Sequence, residues 1–106
     1  MSGTSPDEIE GAGCGVVIHF CDQCGWMLRA AWMAQELLTT FRGLIGEVTL
    51  RPGRGGVFDI LLDGQSLWSR RERGRFPEIT ELKQLVRDRI APDMSLGHGD
   101  RQKTDR

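Results

Sequence analysis

Two cysteines stand three positions apart near the start of the chain, as Cys21-Asp22-Gln23-Cys24. They lie between a run of β-branched and aromatic residues and a run of apolar residues at helical spacing. Unpaired N–H groups and the dipole at a helix N-terminus stabilise a thiolate, and cysteines on one side of a first turn can close a disulfide with little backbone movement. We therefore expect a reversible dithiol, with Cys21 at the helix start and Cys24 about one turn further on.

The chemistry open to such a pair is thiol–disulfide exchange. One thiolate attacks a substrate disulfide, and the second cysteine resolves the mixed disulfide that forms. The carboxylate of Asp22 opposes ionisation of the thiols and no cation lies inside the loop, so the helix terminus must supply most of the activation. A moderate reductant is expected.

A structural zinc site is the less favoured alternative, because it needs two more ligands and only Cys14, His19 and His98 are available. None of them shows the paired spacing of a zinc ribbon. Cys14 is interpreted as an incidental thiol, with a regulatory role as the alternative. His19 could act as a base toward a thiol, but a core histidine is the commoner case. No catalytic role is expected for His98.

Composition places the pair in an ordinary folded protein. The chain has 106 residues, of which 39% are hydrophobic and 27% charged, enough for one domain with its own core. A net charge of -1 gives no general attraction to nucleic acid or anionic lipid. With no apolar run of membrane-spanning length and no signal peptide, we expect a cytoplasmic protein, in which a dithiol cycles instead of stapling the fold.

The elements that position the cysteines follow from apolar spacing. We expect a leader over 1–13, one domain over 14–96 and a tail over 97–106. A buried strand is predicted over 15–20, before the motif. After it, a helical stripe ends at Gly43. The stripe comprises Met27, Ala30, Ala31, Ala34, Leu37, Leu38 and Phe41.

Turn residues divide the second half of the chain. Strands are predicted over 47–51 and 57–62, antiparallel and joined by a hairpin turn over 52–56. A tight Asp63-Gly64 turn leads to a short edge strand over 66–69, and a helix opened by Pro77 ends before Pro92. The predicted fold is α/β (α+β), β-α-β-β-(β)-α, with helices packed on a mixed sheet and the first two strands parallel.

Two surface features could bind a partner. Trp32 falls away from the main helical stripe and is expected to be exposed, whereas Trp26 and Trp68 should fill the margin of the core. The run 70–75 carries Arg70, Arg71 and Arg73, which could attract acidic groups, although a charge run in a loop is usually just solvated. A redox-responsive binding module with little turnover is therefore an alternative to an oxidoreductase.

The sequence resembles the Rdx family, the selenoprotein W, T and H group with its cysteine-only bacterial relatives. The likeness covers roughly residues 16–98. Beyond the motif Phe-Cys-Asp-Gln-Cys-Gly-Trp at 20–26, it is carried by segments 29–30, 51–60, 63–64, 67–70, 74–78 and 87–92.

The resemblance implies a thioredoxin-like fold, a role in thiol redox balance, and glutathione or protein thiols as partners. No metal or tightly bound organic cofactor is expected. Family selenoproteins place selenocysteine at the position that matches Cys24, whereas the mechanism of thioredoxins favours Cys21 as the attacking thiol. Both assignments remain open from sequence, and the oligomeric state is not indicated.

Overall fold

A four-stranded mixed sheet organises the protein in the computed structural model, which describes residues 13–97. The strands are β1 (Cys14–Cys21), β2 (Ile45–Gly53), β3 (Phe58–Leu62) and β4 (Gln65–Ser69). They lie in the order β2-β1-β3-β4. β1 runs parallel to β2 and antiparallel to β3, which is antiparallel to β4. β1 is therefore a central strand, and its carboxyl end carries the cysteine motif.

Three helices accompany the sheet: α1 (Met27–Thr40), α2 (Arg70–Arg73) and α3 (Ile79–Ile90). Helix α1 connects β1 to β2, as parallel neighbours require. Helix α3 begins with a capping box in which Glu78 and Glu81 each bond the other's backbone N–H, so two otherwise unpaired donors are satisfied. No helix within residues 13–97 has the length and apolar character needed to cross a membrane.

The core lies on one face of the sheet. Alternate residues of β1 (Val16, Ile18 and Phe20) are buried, as strand geometry requires when one face is covered. They join a single cluster with buried side chains of α1 and α3, and the two helices also contact each other. Both long helices therefore cover the same face, and the β1 residues between these positions project to the opposite face.

The predicted β-α-β-β-(β)-α architecture with a mixed sheet is confirmed, including the parallel pairing of the first two strands and the short edge strand β4. The predicted hairpin between the strands now called β2 and β3 is wrong. These strands do run in opposite directions, but β1 lies between them and pairs with both. Pairing with β1 also extends β2 through Pro52 to Gly53, and proline is tolerated there because β2 is an edge strand.

The helices differ from the predictions in three details. The run expected as a solvated loop forms the short helix α2, whose N-terminus is capped by the hydroxyl of Ser69. In α1, Met33 is buried while Met27 and Leu38 of the predicted stripe are exposed. In α3, the apolar spacing predicts Arg89 on the inner face, but Arg89 is exposed. Arg87 is buried instead, where it donates to Asp88 and to the carbonyl of Met94.

Candidate active site

Cys21 and Cys24 are joined by a disulfide at the carboxyl end of β1. Cys21 is the last residue of the strand, and Cys24 lies in the turn that follows it. Their Cα atoms are 5.3 Å apart, within the range usual for bonded cysteines. The proximity that the spacing predicts is therefore present.

Three backbone hydrogen bonds hold the turn in place. Asp22 N–H donates to the carbonyl of Gly53 at 3.0 Å, and Gly25 N–H donates to that of Asp22 at 3.0 Å. Trp26 N–H reaches back to the carbonyl of Cys21 at 3.4 Å. Gly25 has a φ of +77°, in the left-handed region that a glycine adopts without steric cost. The turn is thus anchored to both β1 and β2.

This turn corrects the predicted placement of the cysteines on the helix. Helix α1 begins only at Met27, after both cysteines, with Trp26 as its N-cap residue. The physical reason is that Cys21 pairs with Gly53 and so continues the strand, while the left-handed Gly25 ends the turn. Cys24 therefore lies just outside the helix N-terminus.

The two sulfur-bearing residues differ in accessibility. Cys21 is only 1% exposed, whereas Cys24 is an exposed residue. A partner molecule approaching from solvent meets Cys24 first. The asymmetry separates an outer from an inner cysteine, which the sequence alone does not distinguish.

Three aromatic rings, Trp26, Phe58 and Phe76, form a cluster behind the turn, here called the aromatic cluster. The rings meet edge to face, with centroids 4.8 Å apart for Trp26 and Phe76 and 5.1 Å apart for Phe58 and Phe76. Such pairs add to the stabilisation from burial. Because Trp26 follows the motif directly, the aromatic cluster fixes the end of the turn against the core, and the sequence interpretation missed Phe58 and Phe76.

The arginines of α2 pack on aromatic rings. The guanidinium of Arg70 lies 4.8 Å from the ring centroid of Trp26, and that of Arg73 lies 4.3 Å from that of Trp68. Arg71 donates to the carbonyl of Gly55 at 3.4 Å. Arg29, on α1, lies 4.0 Å over Phe76. The partner-binding role predicted for Arg70, Arg71 and Arg73 stays a prediction, but these side chains have contacts within the fold.

The predicted tryptophan environments are found in the structure. Trp68 is fully buried and donates from Nε1 to the carbonyl of Arg75 at 3.0 Å, and Trp26 is half-buried in the aromatic cluster. Trp32 is 46% exposed on α1. Its predicted partner-binding role stays a prediction.

A cavity of about 240 Å³ opens beside β3. It is lined by Val57, Asp59, Ser69, Arg71 and Glu72, residues of both charge signs. Asp59 pairs with His19 across the sheet, on the face opposite the long helices. This cavity was not predicted, because only the strand register brings β3, β4 and α2 together there.

Metal ligation has little support in this part of the chain. Among residues 13–97, no three His, Cys, Asp or Glu side chains come close enough to hold an ion. Cys14 and His19 belong to β1, and His98 lies outside the described residues.

Cys14 is separate from the disulfide and lies at the opposite end of β1. Its Sγ donates weakly to the carbonyl of Leu44 at 3.5 Å. Burial raises the pKa of the Cys14 thiol, and the nearby carboxylate of Asp63 raises it further. Since the thiolate is the reactive form, Cys14 should be a slow nucleophile at neutral pH.

Alkylation of the reduced protein with iodoacetamide near pH 7 is expected to modify Cys24 well before Cys14. Asp63→Asn removes the charge that raises the pKa of Cys14, so it should accelerate Cys14 labelling by a few-fold and leave Cys24 labelling unchanged. Peptide mapping by mass spectrometry measures both rates. Preferential labelling of Cys14 in the unsubstituted protein would contradict the assignment of Cys14 as the slower nucleophile.

Comparison with known proteins agrees with the sequence resemblance. The family model described as the Rdx family matches residues 15–88. A crystal structure from Bordetella parapertussis is 55% identical, with a TM-score of 0.72 over 74% of this chain and 99% of that one. Selenoprotein W-related protein from Vibrio cholerae is 49% identical, with a TM-score of 0.72 over 74% and 98%. Migration and invasion enhancer 1 of Mus musculus is 31% identical over 83 residues, covering 77% of this chain and 70% of the mouse protein.

Proposed function

Since the chain belongs to the Rdx family, we propose that it is a thiol–disulfide redox protein in which Cys24 attacks and Cys21 resolves. The observation that carries the proposal is the disulfide between an exposed and a buried cysteine at the end of β1. An exposed sulfur can meet a substrate, and a buried one three residues away can close the bond without competing for that substrate. The sequence leaves open which cysteine attacks the substrate, and the greater solvent exposure of Cys24 favours attack by Cys24.

The proposed cycle transfers two electrons. The Cys24 thiolate attacks one sulfur of the substrate disulfide, forming a mixed disulfide and releasing the first substrate thiolate. Cys21 then attacks the Cys24 sulfur, which closes the Cys21–Cys24 disulfide and releases the second substrate thiolate. The substrate is reduced, the protein dithiol is oxidised, and the two thiol protons pass to the products.

The surroundings of the turn support a thiolate at Cys24. The residue precedes the N-terminus of α1, where backbone N–H groups and the helix dipole favour negative charge. The guanidinium groups of Arg29 and Arg70 lie over Phe76 and Trp26 of the aromatic cluster, so positive charge adjoins the residue that ends the turn. These groups oppose the effect of the Asp22 carboxylate, which the sequence places inside the loop.

Glutathione and protein disulfides are the proposed partners, and maintenance of the cell's thiol redox balance is the proposed role. Two cysteines carry both electrons, so the cycle needs no resident metal or organic cofactor. The dithiol form requires a reducing compartment, and the cytoplasm is the proposed location.

Turnover tests the proposal directly. The reduced protein is mixed with glutathione disulfide or a disulfide-bonded peptide, and the remaining thiols are blocked and mapped by mass spectrometry. We expect substrate reduction with loss of two hydrogens from the protein, localised to Cys21 and Cys24. The Cys14→Ser variant should behave like the unsubstituted protein. Oxidation that does not map to this pair would refute the mechanism.

A redox-responsive binding module is a second candidate, favoured by the exposed apolar side chains of α1. Leu28 is 77% exposed and Trp32 is 46% exposed, and both lie on the helix that follows the motif. A partner contacting this helix could sense the state of the disulfide. Redox-dependent partner binding without disulfide turnover would favour this candidate, and binding independent of the redox state would count against it.

A further inference from the structure

His19 lies on the same face of β1 as the buried Cys21, and its imidazole approaches Gly53, the β2 partner of Cys21. His19 and Cys21 are two residues apart in β1, so their side chains project to the same face of the sheet. The β2 partner of His19 is Arg51, while that of Cys21 is Gly53. A methyl group at Gly53 would overlap Nε2 of His19 and lie 2.9 Å from its Cδ2. The imidazole therefore leans along the sheet, away from Arg51 and toward the level of Cys21.

Strand spacing sets the distance between the two groups. Neighbouring strands lie about 4.8 Å apart, and paired residues of parallel strands project to the same side. Nε2 of His19 occupies the place of a Gly53 side chain, and Gly53 is paired with Cys21 on the neighbouring strand. Nε2 therefore lies roughly one strand spacing from the side chain of Cys21. The ring fits there because Gly53 has no side chain. A methyl group at Gly53 would also lie only 3.0 Å from Val57 Cγ1, so it would have little room to avoid the ring.

A buried thiol needs a proton acceptor to become a nucleophile. Burial disfavours the charged form of a cysteine, and Cys21 is 1% exposed. Cys24 can release its proton to water, but Cys21 has little access to water. Imidazole is the side chain best suited to exchange protons near neutral pH.

We infer that His19 accepts the proton of Cys21 in the resolving step, an inference that rests on the proposed function. As Cys21 attacks the Cys24 sulfur of the mixed disulfide, the Cys21–Cys24 bond forms and the bond from Cys24 to the substrate sulfur breaks. The electron pair leaves on the substrate thiolate. The proton moves from Cys21 Sγ to His19 Nε2 and then passes to the departing thiolate or to water, so no further reactant is needed.

Charged residues of both signs neighbour His19 in the sheet. Arg51 of β2 and Asp59 of β3 are its partners in the register. Asp59 also borders the cavity, together with Arg71 and Glu72 of α2.

The two steps can be separated with 5,5′-dithiobis(2-nitrobenzoic acid), which releases one coloured thiolate at each step. The first release reports attack by Cys24, and the second reports resolution by Cys21. In a Cys14→Ser background, we expect His19→Asn and His19→Gln to slow the second release by roughly 100-fold near pH 7 and to leave the first unchanged. The difference should shrink at high pH, where hydroxide can replace the imidazole as proton acceptor, and added imidazole should restore part of the rate. Val17→Asn, on the same face of β1, is the matched control and should change neither release.

Gly53→Ala provides an independent test, because its methyl group displaces the imidazole while the histidine remains. It should also slow the second release selectively. Equal second-release rates in all variants, or an equal slowing of both releases at every pH, would overturn the inference. The proposed function would fail if the protein did not turn over glutathione disulfide or peptide disulfides. Because the reagent is itself a reactive disulfide, the second-release rates of the variants could still be compared with that of the unsubstituted protein in that case.

Discussion

Cys24→Ser should reduce disulfide turnover to the rate without protein, while Cys21→Ser should capture the substrate as a stable mixed disulfide. The two variants differ because, in the proposed cycle, the outer cysteine begins the exchange and the inner cysteine only completes it. Cys24 is exposed and Cys21 is buried at the end of β1. Mass spectrometry of the non-reduced protein distinguishes a free thiol from an adduct at Cys24.

Cys14→Ser is the control for loss of a thiol that lies outside the motif, and it should retain full turnover. Reversed behaviour, with adducts captured by Cys24→Ser and none by Cys21→Ser, would assign the attack to Cys21. The same experiment with a biotinylated peptide disulfide would show whether the captured substrate can be larger than glutathione. Turnover that persists in both Cys21→Ser and Cys24→Ser would exclude a two-cysteine cycle.

Phe58→Ala should lower the free energy of unfolding by about 3–5 kcal/mol, a large share of the roughly 5–15 kcal/mol of a typical domain. Phe58 is fully buried, pairs with Phe20 across β1 and β3, and contacts both other rings of the aromatic cluster. Truncation leaves a cavity and removes the support of Trp26. Denaturant unfolding followed by circular dichroism measures the loss.

Leu28→Ala is the matched control, because it also removes an apolar side chain but from a position 77% exposed. Its effect should stay within about 0.5 kcal/mol. If the two variants lost similar stability, the aromatic cluster would not be a major contributor to the core. Loss of redox turnover in Phe58→Ala under conditions where the protein stays folded would further tie the aromatic cluster to the geometry of the turn.

Most of the fold could be predicted from local patterns. Apolar spacing predicts β1, α1 and α3 because each element has one buried side, and Asp63-Gly64 predicts the turn before β4. The pairing of β1 with both neighbours could not be read in this way. Residues 52–56 resemble a hairpin turn, and only the competition between possible strand partners shows that β1 takes the central position. Helix α2 was missed because a four-residue helix has no apolar stripe.

The candidate site was only partly predictable for a related reason. Cys21 and Cys24 can be predicted to lie close together because they are only three positions apart in the sequence. The burial of Cys21, the approach of His19 to Gly53, and the contacts of Trp26 with Phe58 and Phe76 all depend on segments distant in sequence. Arg70 appears as one charge in a run until the fold places it over Trp26.

The alternation along β1 assigns two different tasks to one short segment. Val16, Ile18 and Phe20 face the helices, so a polar replacement there costs core stability. Val17 and His19 face the other way, and the imidazole of His19 approaches Gly53, the β2 partner of the cysteine that ends the strand. The core-forming side chains and the proposed proton acceptor therefore lie on opposite faces of the same eight residues. In the proposed mechanism, a substitution at position 19 therefore changes the resolving step without disturbing the packing of the core.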